Sequence, residues 1–231
     1  MKYFVTGCDK NTEWQLQWFI DNFRKHCDLP LMVADFGMTT DAYMMAEITA
    51  DKVVNAEGNG WFSKVDTMWR IQSHLGEGEF CWLDTDCQVM SDPSGIFSFV
   101  EPNKLSVAVD RPWTKNGSPW TPQSDKGPWY NTGVVAFTGH PLILQEWHSE
   151  VKAHKKHRGD QEALYWLLNL NEMHRAIYIN ELPHRYNVLR LDMLQGDVPT
   201  DPIIKHWTGQ KGNDEIRRQI SDKQSSHSRQ R

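Results

Sequence analysis

No run of apolar residues in this 231-residue sequence approaches the roughly 20 needed to cross a bilayer, so a membrane span is not expected. Residues 1–7 lack the apolar length of a signal peptide and read as a first strand. Positive charge is in deficit: the net charge is −5, which argues against a general binder of nucleic acid or anionic membrane. Cysteine is sparse, with Cys8, Cys27, Cys81 and Cys87 showing no CxxC spacing, so reduced thiols in a cytoplasmic protein are the expectation. Internal repeats and a domain linker are also missing, which leaves one α/β domain over residues 1–212 and a polar tail over 213–231. Tryptophan is abundant instead: 11 indoles suit either a core or flat faces for sugar rings.

The most informative stretch is Phe80-Cys81-Trp82-Leu83-Asp84-Thr85-Asp86. Four consecutive apolar residues read as a strand buried on both faces. Asp84 and Asp86 then fall at its carboxyl end, where ligands bind in open α/β sheets. Side chains two apart on an extended segment point to one side, and a like-charged pair is costly without a cation. Oxygen ligands suit Mg²⁺ or Mn²⁺. An acidic turn is the competing reading, since Asp is common where strands end.

Strands are expected at residues 3–6, 29–34 and 52–54, with helices from Thr12 and over 42–50. Thr12 and Gln15 have capping-box spacing, and Leu16, Phe19, Ile20 and Phe23 form a sheet-facing stripe. This β-α-β-α-β order predicts a mainly parallel sheet with right-handed crossovers. Asp9 and Asp35 fall at carboxyl ends of strands, where each could also be a turn residue. Lys64 lies in the first turn of a helix over 62–75, an unfavourable place for a cation that an anionic partner would explain. Further strands are expected at 105–109, 134–137, 176–179 and 203–206, and a helix from Asp160 as N-cap to residue 170. The Pro-, Gly- and Trp-rich stretch 112–129 reads as a lid or acceptor-binding loop.

Four motifs in order resemble a GT-A-fold glycosyltransferase, most of all the retaining glycogenin-like and bacterial galactosyltransferase-like family, glycosyltransferase family eight. They are Leu83-Asp84-Thr85-Asp86, Asn131-Thr132-Gly133-Val134, Gly159-Asp160-Gln161-Glu162 and Ile204-Lys205-His206-Trp207-Thr208-Gly209-Gln210-Lys211. The resemblance implies a Rossmann-like domain that moves a sugar from a nucleotide-diphosphate donor, UDP-sugar by preference, to a saccharide or other hydroxyl acceptor. It implies that Asp84, Asp86 and His206 hold Mn²⁺ or Mg²⁺, with Asp84 also reaching ribose. Gly209 and Lys211 would meet phosphate, Asp9 and Asp35 base and ribose, and Asn131 and Asp160 sugar hydroxyls. Gln161 would lie beside the anomeric carbon, and Lys64 would belong to the donor site. Retention follows from the resemblance alone.

Three rivals share parts of this pattern. A haloacid-dehalogenase-type phosphatase also places an acidic pair after a buried strand, but near the chain start and with a second acidic pair downstream. A sugar-nucleotide pyrophosphorylase needs a Gly-rich loop where this chain has Gly7-Cys8-Asp9-Lys10-Asn11. A non-enzymatic carbohydrate binder explains the tryptophans but not Asp84, Asp86 and His206 together.

Overall fold

The computed structural model describes residues 1–56, 62–111, 127–153, 157–169 and 172–228. The first third alternates as expected: β1 (Lys2–Cys8), α1 (Leu16–Arg24), β2 (Leu31–Asp35), α2 (Thr40–Thr49), β3 (Lys52–Asn55), α3 (Phe62–Leu75) and β4 (Glu79–Leu83). Next come β5 (Cys87–Val89), β6 (Leu105–Val109), β7 (Tyr130–Thr138), α4 (Leu142–Ala153) and α5 (Asp160–Leu168). The last elements are α6 (Glu172–Tyr178), β8 (Ile179–Glu181), β9 (Val188–Leu189), α7 (Arg190–Gln195), β10 (Ile204–His206) and α8 (Gly209–Ser228).

Seven strands form one sheet in the order β3-β2-β1-β4-β7-β6-β8, and β5-β10-β9 form a second, smaller one. In the large sheet β7 runs against its neighbours β4 and β6, and the remaining pairings are parallel. That reversal matters for the site. The start of β7 lies beside the end of β4, with Leu83 opposite Val134 and the Asp84 N–H bonded to the Gly133 carbonyl at 2.8 Å.

β4 shows why its apolar run does not alternate. Cys81 and Leu83 enter the core on one face, with Phe4, Phe19 and Phe23, while Phe80 and Trp82 enter the other, with Phe137 and Trp147. Both faces are covered, as parallel strands require. Truncating fully buried Phe80 or Trp82 to alanine would cost about 3–5 kcal/mol.

Several local expectations need correction. Thr12 makes no cap bond; its hydroxyl instead donates to Asp9 Oδ1 at 3.0 Å, and α1 is preceded by a 3₁₀ turn at Glu13–Gln15. The strand expected at 176–179 begins only at Ile179, because the preceding residues are helical. Residues 213–228, expected as a polar tail, continue α8, with Ile216 fully buried. After Thr208 the chain enters the first turn of that helix at Gly209. Gly212 is required there because a Cβ would fall 1.8 Å from the Trp207 carbonyl oxygen. Of the 112–129 stretch, residues 112–126 lie outside the described residues. Trp129 is buried, its ring centroid 4.7 Å from that of Tyr165.

No described helix is long and apolar enough to cross a membrane. All four cysteines are free and buried. Four of the described tryptophans, Trp18, Trp82, Trp129 and Trp147, are buried, and two of these reach the site: Trp82 Nε1 donates to Asp84 Oδ1 at 2.6 Å, and Trp147 Nε1 to the Asp160 carbonyl at 2.8 Å.

Candidate active site

The site lies where β4 leaves the large sheet and β5 enters the small one. Asp86 follows the β4 end, and His206 ends β10, which pairs antiparallel with β5 so that His206 stands opposite Cys87. Asp86 Oδ1 is 3.0 Å from His206 Nε2. The two residues are 120 positions apart in sequence, and the small sheet joins them. Gly133 makes room: a Cβ there would lie 2.0 Å from the imidazole Cε1. Burial disfavours the imidazolium, but the Asp86 carboxylate outweighs it and raises His206 above the ordinary histidine range.

A carboxylate oxygen and an imidazole nitrogen at this separation fit a divalent cation between them, and the Cys87 thiol offers a third ligand atom within 4.8 Å of the others. Asp84 does not join that group. Its Oδ1 takes bonds from Trp82 and from Lys64 Nζ, the latter at 3.2 Å. Lys64 is the anionic-partner case foreseen for it: Nζ is 2.8 Å from Asp160 Oδ2 and donates to the Thr132 carbonyl at 3.1 Å. Burial pushes this ammonium toward neutrality, but Asp160 and Asp84 prevail and hold it charged, above the usual lysine range. Removing the cation would leave two carboxylates facing one gap.

Asp160 is not an N-cap. Gly159 occupies that position, and the Asp160 side chain accepts from the Thr132 hydroxyl at 2.7 Å, as well as from Lys64. Beside it Gln161 donates through Nε2 to Asp110 Oδ2 at 2.9 Å and accepts from Asn131 Nδ2 at 3.3 Å. Asn131 Oδ1 accepts from the Gly133 N–H at 3.0 Å and from Asn187 Nδ2 at 2.9 Å. Asn187 Oδ1 in turn accepts from His206 Nδ1, 3.1 Å away.

Asp9 and Asp35 sit side by side, since Cys8 pairs with Asp35 in the sheet. Each carboxylate also organises its own turn. Asp9 Oδ1 accepts from the Asn11 and Thr12 N–H groups at 2.9 and 3.1 Å. Partial burial would raise its pKa, but hydrogen bonds from the Asn11 side chain and from the N–H groups and hydroxyl of this turn outweigh it and draw the pKa below the carboxylate norm. Asp35 Oδ1 accepts from the Gly37 and Met38 N–H groups at 2.7 and 2.6 Å. Gly209, with φ of +73°, opens α8, and Lys211 is exposed in its first turn. The Trp207 N–H donates to the Asp86 carbonyl at 3.0 Å, so this helix N-terminus begins close to the Asp86–His206 pair.

Sequence reasoning missed Thr132, Asp110 and Asn187 as members of the polar cluster, and Gln15 as its support. Gln15 is buried and bridges the Thr85 hydroxyl at 2.7 Å and Asn213 at 2.8 Å. Asp110 and Asn187 have no motif signal; Thr132 stood inside a quoted motif and Gln15 at capping-box spacing, neither with a role in the site.

No family model matches the chain, and no curated protein does. Solved structures do. The apo form of the glycosyltransferase GlyE of Streptococcus pneumoniae TIGR4 superposes with a TM-score of 0.65 at 18% identity over 90% of this chain and 55% of that one. The galactosyltransferase LgtC, solved with donor and acceptor sugar analogues, gives 0.56 at 14% identity over 90% of this chain and 87% of that one. The bifunctional glycosyltransferase WbbM gives 0.61 at 14% identity over 90% of this chain and 45% of that one. The chain thus has the GT-A fold of these glycosyltransferases, and it spans about half the length of GlyE and of WbbM.

Proposed function

We propose that the protein is a divalent-metal-dependent glycosyltransferase that takes a sugar from a nucleotide diphosphate, UDP by preference, and passes it to a hydroxyl of a saccharide or other acceptor. The observation that carries the reading is the meeting of Asp86 with His206, 3.0 Å apart, beside the Asp84–Lys64–Asp160 cluster, on the fold of known glycosyltransferases. A phosphatase or a lectin gives no reason for these groups to converge.

Asp86 and His206 would hold the ion, Mn²⁺ or Mg²⁺. When bound, it stabilises negative charge on a departing diphosphate. The N-terminus of α8, with Gly209 and Lys211, would hold phosphate oxygens through backbone N–H groups and a lysine charge. Asp9 and Asp35 would face base and ribose, with Asp84 also near ribose. Once donor is bound, Lys64 would stay paired with Asp84 and Asp160 and offset one of their two charges at the floor of the sugar pocket. Asn131, Asp160 and Gln161 would orient the sugar, with Gln161 beside the anomeric carbon.

Front-face substitution with retention suits these residues better than double displacement. A nucleophilic carboxylate should be unencumbered. Asp160 Oδ2 is held by Lys64 and Thr132, and Glu162 Oε2 accepts from the Arg158 N–H at 2.7 Å. The departing phosphate itself would assist the acceptor hydroxyl.

The test is hydrolysis of a panel of nucleotide sugars with Mn²⁺ and with EDTA. One or more UDP-sugars should yield UDP only with metal, and NMR of the first-formed free sugar, taken before it mutarotates, should show the donor's anomeric configuration. Turnover in EDTA would sink the metal assignment, and an inverted product would sink retention alone.

A further inference from the structure

His206 can serve a cation only through a ring nitrogen without a proton, and a line of hydrogen bonds settles which nitrogen that is. The line starts from a group whose polarity is fixed. The Gly133 backbone N–H can only donate, so the Asn131 side-chain atom 3.0 Å from it is the carbonyl oxygen. The Asn187 atom 2.9 Å from that oxygen must then be the amide nitrogen. The other end of the Asn187 amide is therefore its carbonyl, and it can only accept from His206 Nδ1 at 3.1 Å. Nδ1 carries a proton, and Nε2, 3.0 Å from Asp86 Oδ1, is the nitrogen left to yield its proton when a cation arrives. In the other direction the Asn131 amide nitrogen donates to Gln161 Oε1, and Gln161 Nε2 donates to Asp110, which as a carboxylate only accepts. Every amide in the line thus has one orientation that satisfies both neighbours.

We propose that Asn187 is the positioning residue that commits His206 Nε2 to the metal. It does so by reading the orientation of Asn131, which joins the metal side of the site to the sugar side. This rests on the reading of Asp86 and His206 as metal ligands. Partners on the far nitrogen of a ligating histidine fix its tautomer and ring angle, and losing one costs metal affinity. Asn187 is 2% exposed, and its neighbours are polar rather than apolar, which a residue kept only for packing would not need.

Asn187→Leu removes the acceptor for Nδ1. Asn187→Asp keeps an acceptor there but turns a second one toward Asn131. Binding of Mn²⁺ in the presence of UDP, followed by loss of the free-ion electron paramagnetic resonance signal, separates these cases from a packing role. Asn187→Leu should raise the half-saturating Mn²⁺ concentration about 10–100-fold. Asn187→Asp should stay within a few-fold of wild type for Mn²⁺, yet lose discrimination between UDP-sugar and UDP, because Asn131 is displaced. Wild-type Mn²⁺ affinity in a folded Asn187→Leu protein, or equal loss in both variants, would overturn the proposal. Should Asn187→Leu not fold, NMR of nitrogen-labelled histidine in the wild type with Mg²⁺ and UDP decides. A slowly exchanging His206 Nδ1 proton supports the assignment and its absence overturns it. A wild type that shows this proton but binds no Mn²⁺ would remove the metal reading and leave the hydrogen-bond line standing.

Discussion

At the scale of single residues, charge balance in the buried site sets the largest effects. Lys64 is 5% exposed and stands between two carboxylates, so its removal leaves like charges with no compensating cation. Lys64→Ala should cost about 3–5 kcal/mol of stability, the range for breaking a buried pair, measured by urea denaturation. It should also abolish sugar transfer while leaving the fold detectable by circular dichroism. An unchanged denaturation midpoint would show that Asp84 and Asp160 do not depend on it. Asp66, away from the site, behaves differently. Although its burial favours the neutral acid, His148 at 2.8 Å, Lys152 at 3.0 Å and Arg70 at 3.0 Å lower its pKa. The folded protein therefore binds this proton less readily than the unfolded chain. The resulting stability is complete above the unfolded value near 4 and is lost as pH falls through the lower folded one. Asp66→Asn should cost about 1–3 kcal/mol at neutral pH, and the difference from wild type should shrink toward zero in strong acid. A pH-independent difference would point to packing between α3 and α4 instead.

At the scale of elements, the C-terminal helix is the piece that changes the picture. Among the described side chains of α8, Ile216 is the one buried apolar residue, and much of the helix's attachment to the rest of the chain is polar: Gln15 to Asn213 at 2.8 Å, Trp18 and Gln88 to Gln219 at 3.3 Å each, and Arg217 over the Trp14 ring at 3.9 Å. Its exposed face carries pairs within the helix, such as Arg218 with Glu215 and Asp222. A helix held in this way has little apolar periodicity, which is why its sequence reads as a tail. β4 is the opposite case: its apolar run and following carboxylates are local, so strand, end and acidic pair were all legible. Between these extremes lie Lys64, in the first turn of its helix as expected, and Asp160, one position inside its helix rather than capping it, a pair 96 residues apart that only the folded sheet brings together. Asn187 and Asp110 had no signal at all, because a lone amide or acid in an irregular stretch looks like any turn residue. Ile216→Ala should cost about 2–5 kcal/mol by loss of buried volume. It should also weaken donor binding, because α8 reaches Thr85 of the acidic turn through Gln15. Melting and nucleotide titration of this variant check both effects. A loss of stability with donor affinity intact would separate the helix body from the site.

At the scale of the whole molecule, the candidate site is a joint between two sheets. Asp84 follows β4 of the large sheet, Asp86 precedes β5 of the small one, and His206 comes from β10, close to the other end of the chain. The joint is held by the Asp86–His206 contact, the Trp207 N–H on the Asp86 carbonyl and the Gln15 bridge. Two or three protein ligands make an incomplete shell for Mn²⁺ or Mg²⁺, and diphosphate oxygens would fill it. Metal and nucleotide should therefore each bind weakly alone and tightly together. At 100 times its dissociation constant a ligand adds about 2.7 kcal/mol, which for a chain of this size raises the melting temperature by roughly 5–10 °C. UDP with Mn²⁺ should produce a shift of that order, well beyond the sum of the two separate shifts, and EDTA should abolish it. Asp86→Ala should lose the shift completely. His206→Ala should retain part of it, because Asp86 and the diphosphate still offer oxygen to the ion. Asp84→Asn should change it least of the three, since Asp84 is engaged by Lys64 and Trp82 rather than by the metal pair. A normal Mn²⁺-dependent shift in Asp86→Ala, or one lost more fully in Asp84→Asn than in Asp86→Ala, would move the ion to a different place between the sheets.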